Sequence, residues 1–195
     1  MHESLPEAMT EAMRRTAEIV HAVRPDQLTL PTPCAEFDVA ALGRHLTYWG
    51  VLFSEQAARK QQPAPDAGPD DVGTDWAETF TRHADRTAAA WSIPDAWTGT
   101  TFLAGASMPA PLVGSLMLAE LVLHGWDLAV ATGQRPTYSE AVANTTLEII
   151  ERMAGQGRAA GIFADPVPVP DSASSLERAL GLSGRDPVWP TRRSD

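Results

Sequence analysis

A chain of 195 residues, 44% of them hydrophobic, is long enough to bury a core of its own and ordinary for a globular protein. Its formal net charge of −10 excludes nucleic acid as the partner, because phosphate binding needs a basic face. The single cysteine, Cys34, excludes an intramolecular disulfide and suits a reducing compartment.

The N-terminal stretch "MHESLPEAMTEAMRR" is polar and has no apolar core for a signal peptide, so a cytoplasmic protein is expected. The first predicted helix runs from about Leu5 to Val23, with Met9, Met13, Val20 and Val23 on its apolar side, and Pro25 stops it. After the proline-rich loop "PDQLTLPTPCAEF", Asp38 reads as the N-cap of a second helix reaching about Lys60. Val39, Leu42, Leu46, Trp49 and Phe53 recur along it at helical spacing. "QQPAPDAGPDDVG" is a polar surface loop, and a third helix spans Thr74 to Trp91.

"SIPDAWTGTTFLAGASMPAP" is turn-rich, with room for one short extended pair. A fourth helix follows Pro111 and ends at Gly133, and a fifth runs from Ser139 to about Met153. The tail begins extended and rich in proline, then holds a short helix near Ser174 to Leu182. No stretch reads as about 20 uninterrupted apolar residues, so no membrane partner is expected. With no internal repeat and no break in composition, the expectation is one all-α domain over residues 1–195: a four-helix bundle over about 5–155, with an additional helix and an extended Pro-rich tail over about 156–195.

The fourth helix carries the chemistry. From Pro111 to Val130 its only charged or titratable residues are Glu120, His124 and Asp127. At about 100° per residue these fall within roughly a 60° sector. The bland account is a helix with one slightly polar edge. Against it stands the lack of any Lys or Arg over that stretch, since a solvated face would carry more charge of both signs.

Alternatively, Glu120 and His124 are donors on adjacent turns, because bundle cores build metal sites from facing side chains. A third donor must then come from another helix. His45, on the margin of the second helix's apolar stripe, is the candidate, and two imidazoles with a carboxylate and an open position form the catalytic pattern for Zn²⁺. Asp127 takes a supporting role, orienting a ligand or capping the helix. Arg44 is a candidate for meeting an anionic substrate. His2 is terminal, His21 sits near a helix end, and His83 reads as solvated surface among Arg82, Asp85 and Arg86. Trp126 and Cys34 read as packing residues.

The motifs "PTPCAEFDVAALGRHL", "AELVLHGWDLAVATGQ" and "FADPVPVPDSASSLERALGLSGRDP" together resemble the actinobacterial branch of the DinB/YfiT-like metal-binding superfamily. Within it they are similar to the N-terminal domain of mycothiol-dependent maleylpyruvate isomerase. The resemblance implies a DinB-like four-helix bundle with a divalent metal at one end, Zn²⁺ first and Ni²⁺ as the alternative. It implies His45, Glu120 and His124 as the ligands and Phe37 in place of a frequent Trp. It further implies mycothiol as cosubstrate and an electrophilic small molecule as substrate, for thiol transfer or isomerisation. A homodimer also follows from the resemblance alone. The stretch after His124 reads as too short for the isomerase's C-terminal domain, so the resemblance implies the metal site without fixing the particular isomerisation. The competing expectations are a non-catalytic metal-binding module and a helical protein in which Glu120 pairs with an arginine.

Overall fold

The computed structural model describes residues 4–64 and 67–189. His2, residues 65 and 66 of the polar loop, and the last residues of the tail lie outside them. Helix α1 (Leu5–His21) opens at Ser4, whose backbone N–H donates to Glu7 Oε2 at 3.0 Å. It buries Met9, Met13, Ile19 and Val20, an apolar stripe that packs on the later helices α4 and α5.

Asp38 caps α2 (Val39–Leu46), accepting from the Ala41 N–H at 2.7 Å. The expected long second helix is one continuous rod, but its middle, Thr47–Phe53, is π-helical before α3 (Ser54–Ala58) resumes the α form. A π segment of this kind changes which residues share a face, and such segments are frequent beside functional side chains. Helix α4 (Trp76–Trp91) lies against α1 and α3, burying Trp76, Phe80 and Trp91.

The expected extended pair is present as β1 (Thr100–Leu103) and β2 (Ala106–Pro109), antiparallel with Thr100 opposite Pro109. Its two-residue turn, Ala104–Gly105, has positive φ at both positions, the geometry that matches strand twist in a hairpin. Helices α5 (Ala110–Ala131), α6 (Glu140–Ala159) and α7 (Ser175–Leu182) follow. Ser139 and Ser174 cap the last two, and α7 packs on α6.

α5 is the axis of the core, touching α1, α2, α3 and α6. Its buried residues go all the way round, from Val113 and Leu118 to Leu121, Val122 and Leu128. Contrary to the expectation from uninterrupted runs, it is long and apolar enough to cross a membrane, with a mean hydropathy of 1.4 over its best window. Glu120, His124 and Asp127 interrupt the run without lowering the average much. Because 72% of that window is buried against the rest of the protein, α5 sits as a core helix does.

Candidate metal centre

His45 leaves the last turn of α2, and Glu120 and His124 leave adjacent turns in the middle of α5, where α2 and α5 pack together. Among the described residues these three form a group whose donor atoms all lie within 4.8 Å of one another. Glu120 sits between the imidazoles, with Oε1 3.0 Å from His45 Nε2 and Oε2 3.7 Å from His124 Nε2. The two rings meet edge to face with centroids 5.1 Å apart, and the Phe37 ring packs against His45 at 4.9 Å. All three donors are partly shielded, with side chains 13–21% exposed.

The short His45–Glu120 contact is not a proper hydrogen bond. Glu120 Oε1 is buried, and no N–H or O–H is aimed at it. The two atoms stand 3.0 Å apart with no hydrogen bond of good geometry between them, leaving a buried oxygen beside a ring nitrogen. Ligands about 2.0–2.1 Å from a tetrahedral Zn²⁺ stand roughly 3.4 Å apart, a value the 3.0 and 3.7 Å separations bracket. The residues therefore fit a divalent ion held by the two imidazoles and the Glu120 carboxylate. Burial pushes the Glu120 carboxyl up, but His124, His45 and Arg185 outweigh it and hold the group below its ordinary value.

Asp127, one turn beyond His124, is wholly buried and lies 2.9 Å from His124 Nδ1 through Oδ2. An ionised carboxylate only accepts, so His124 Nδ1 carries a hydrogen, and Nε2 is the ring nitrogen turned toward Glu120. Burial opposes the Asp127 charge too, but Arg185 and His124 more than offset it and keep its carboxyl below the usual range.

Arg185 was not singled out by the sequence. It reaches in from just after α7, donating from Nε to Asp127 Oδ1 at 3.0 Å and from Nη2 to Oδ2 at 2.8 Å. Its Nη2 also passes 3.4 Å from His124 Nδ1, but both nitrogens are donors sharing Asp127 Oδ2, so that approach is no bond of its own. The one available signal was negative: a buried Asp127 demands a cation, and none stands within a helical turn or two of it.

The other candidates fall differently. Arg44 is half-buried beside His45 but about 100° further round the helix, and no hydrogen bond or ion pair joins it to the centre among the described residues. His83 is not solvated surface. It is half-buried with Nδ1 3.3 Å from the buried Glu55, which also binds Arg59 and Arg86 at 3.1 Å each. Trp126 is buried in the core as expected, 4% exposed. Cys34 is half-buried, and burial with the nearby Asp127 charge pushes its thiol up against the opposing pull of Arg185. That keeps it a neutral thiol and a poor nucleophile.

The family described as the mycothiol maleylpyruvate isomerase N-terminal domain matches residues 9–129, a span that includes His45, Glu120, His124 and Asp127. Uncharacterized proteins from two Mycobacterium tuberculosis strains, CDC 1551 / Oshkosh and ATCC 25618 / H37Rv, are each 29% identical over 174 residues. Those alignments cover 87% of this chain and 91% of each relative. Crystal structures of mycothiol-dependent maleylpyruvate isomerase and of a histidine-to-alanine mutant of it share the fold at a TM-score of 0.53, with 16% and 17% identity. The likeness covers 80% of this chain and 73% of theirs.

Proposed function

The chain belongs to the mycothiol maleylpyruvate isomerase N-terminal domain family, and from that membership we propose that it is a divalent-metal-dependent enzyme acting with a low-molecular-weight thiol on an electrophilic small molecule. The observation that carries the reading is the buried, unpartnered Glu120 Oε1 held 3.0 Å from one imidazole, with a second imidazole 3.7 Å from the other oxygen. His45, Glu120 and His124 are the proposed ligands, with Zn²⁺ as the metal, Ni²⁺ as its alternative and mycothiol as the thiol. When bound there, the ion supplies the positive charge that lets a thiol lose its proton near neutral pH and the open position at which it does so.

The protein's own residues do the rest. Glu120 brings a negative charge that offsets the dication, and Phe37 packs against His45 on one side of the centre. Asp127 holds the His124 hydrogen on Nδ1, so that Nε2 offers its lone pair. Arg44, which has no carboxylate partner among the described residues, is assigned to an anionic group of the substrate. The chemistry is addition of the thiol sulfur to an electrophilic carbon, leading to transfer or, after elimination, to isomerisation.

Around this centre we read one domain over 1–195. α1, the α2–α3 rod, α4 and α5 are the four helices of a DinB-like bundle, with α6, α7 and the tail outside. A cytoplasmic homodimer completes the reading. The test is turnover of maleylpyruvate, and separately of chlorodinitrobenzene, by zinc-loaded protein with and without mycothiol. Turnover that needs both mycothiol and metal is the expected result. Neither turnover nor a mycothiol-induced thermal shift at saturating zinc would leave a non-catalytic metal-binding module.

A further inference from the structure

Asp127 and Arg185 form a buried ion pair between α5 and the start of the final segment, with side chains 0% and 11% exposed. Taking two opposite charges out of water is costly, and an apolar pair of the same volume would often hold a fold as well. What an apolar pair could not do is aim an imidazole. Arg185 grips the carboxylate with a fork, Nε on both oxygens at 3.0 and 3.1 Å and Nη2 on Oδ2 at 2.8 Å, which fixes the carboxylate plane. The same Oδ2 takes the His124 Nδ1 hydrogen at 2.9 Å.

The guanidinium is itself held. Its Nη1 donates to Ser183 Oγ at 3.2 Å, and the Arg185 backbone N–H donates to the Leu180 carbonyl at 2.9 Å. Gly184, at φ +86°, lies so close to Ala164 that an added Cβ would come within 2.7 Å of it. The end of α7 is thus packed onto the start of the tail and delivers residue 185 in a fixed register.

We propose that Arg185 is a positioning residue of the metal centre: acting through Asp127, it locks the His124 ring with Nε2 turned to Glu120 and His45. This contribution comes from outside residues 9–129, the stretch the family shares. It rests on the proposed metal centre for its purpose, while the aim of the ring is a property of the metal-free chain as well.

Two readouts on the full chain test it. The first is the ¹⁵N shifts of the His124 imidazole in metal-free protein, at a pH where the ring is neutral. The expected result is an Nδ1–H tautomer in the wild type and a mixture in Arg185→Ala. The second is Co²⁺ affinity and visible absorption. Arg185→Ala is expected to weaken binding about 10- to 100-fold and to change the band shape, as loss of an orienting partner does.

Arg185→Lys, which keeps the charge and loses the fork, is expected to recover part of the affinity. In an Asp127→Asn background, Arg185→Met is expected to change neither readout further, because the arginine acts through the aspartate. If Arg185→Ala fails to fold, Arg185→Lys and the Asp127→Asn pair carry the test. An unchanged tautomer and Co²⁺ affinity in folded variants overturns the proposal, as do additive losses in the double variant. A wild type that binds no Co²⁺ defeats the metal reading instead, and the tautomer measurement then decides the role of Arg185 alone.

Discussion

Substituting Gly125 by alanine places a methyl group where α5 meets α1 and Tyr138, on the residue next to His124. An ideal Cβ there overlaps the Tyr138 hydroxyl and comes within 3.0 Å of Thr16 Oγ1. The hydroxyl cannot simply move aside. Tyr138 Oη donates to the Leu121 carbonyl at 3.1 Å and sits 3.0 Å from Thr16 Oγ1, which itself reaches the same carbonyl at 3.1 Å. Overpacking costs about 1–3 kcal/mol, and each broken hydrogen bond about 1 kcal/mol. Alanine returns about 1 kcal/mol of helix propensity. The net loss is about 2–3 kcal/mol, which for a chain of 195 residues lowers Tm by roughly 5–10 °C. Thermal unfolding followed by circular dichroism reads this directly. In a Tyr138→Phe background the same substitution is expected to lose at least half of its penalty. A Gly125→Ala protein melting with the wild type, or a full penalty in the Tyr138→Phe background, refutes this reasoning.

Glu55 sets part of the acid limb of stability. Burial opposes its charge, but His83, Arg86 and Arg59 outweigh burial and hold its carboxyl below the ordinary 4.5. A lowered folded pKa contributes stability that is present above the unfolded value and lost as pH falls through the folded one. Urea unfolding of Glu55→Gln is therefore expected to fall below the wild type at neutral pH and to converge with it as pH drops below about 4, whereas a constant gap across that window contradicts the pairing. At the metal centre, zinc at about 100 times its Kd is expected to add about 2.7 kcal/mol to wild-type stability, or roughly 5–11 °C in Tm. Glu120→Gln should abolish that rise and also lower the metal-free Tm at neutral pH, since a carboxyl held below its ordinary value contributes stability through its charge. An undiminished zinc shift in Glu120→Gln would show that the carboxylate is no ligand.

Helix positions were legible wherever a stripe of apolar side chains faced a core. The caps at Asp38 and Ser139 stand where they were expected, and α1 and α4 begin and end within two residues of the expected limits. The π-helical stretch at Thr47–Phe53 was not legible, because its Tyr, Trp and Phe satisfy an α pattern equally well. α6 runs on to Ala159, past the expected Met153. Gly155 and Gly157 suggest a stop, yet Gly157 is buried against the Phe163 ring, so packing carries the helix through.

The grouping of His45, Glu120 and His124 was readable because two donors share a face of an otherwise apolar helix. Their separation from the third is bridged by the α2–α5 contact. Arg185 and Glu55 show what spacing does not carry. Arg185 meets Asp127 across 58 residues, and the salt-bridged cluster at Glu55 joins helices through side chains that a single-helix reading treats as surface. Such pairings depend on how the elements dock, which no local period encodes.

The central claim is that His45, Glu120 and His124 hold one divalent ion between α2 and α5. Elemental analysis of the purified full chain after zinc loading and desalting tests it most directly, run alongside His45→Ala and His124→Ala proteins that fold as the wild type does. The expected result is about one equivalent of metal per wild-type chain, tightly retained, and near-complete loss in both variants. Full metal content in both variants, or none in the wild type, would contradict it.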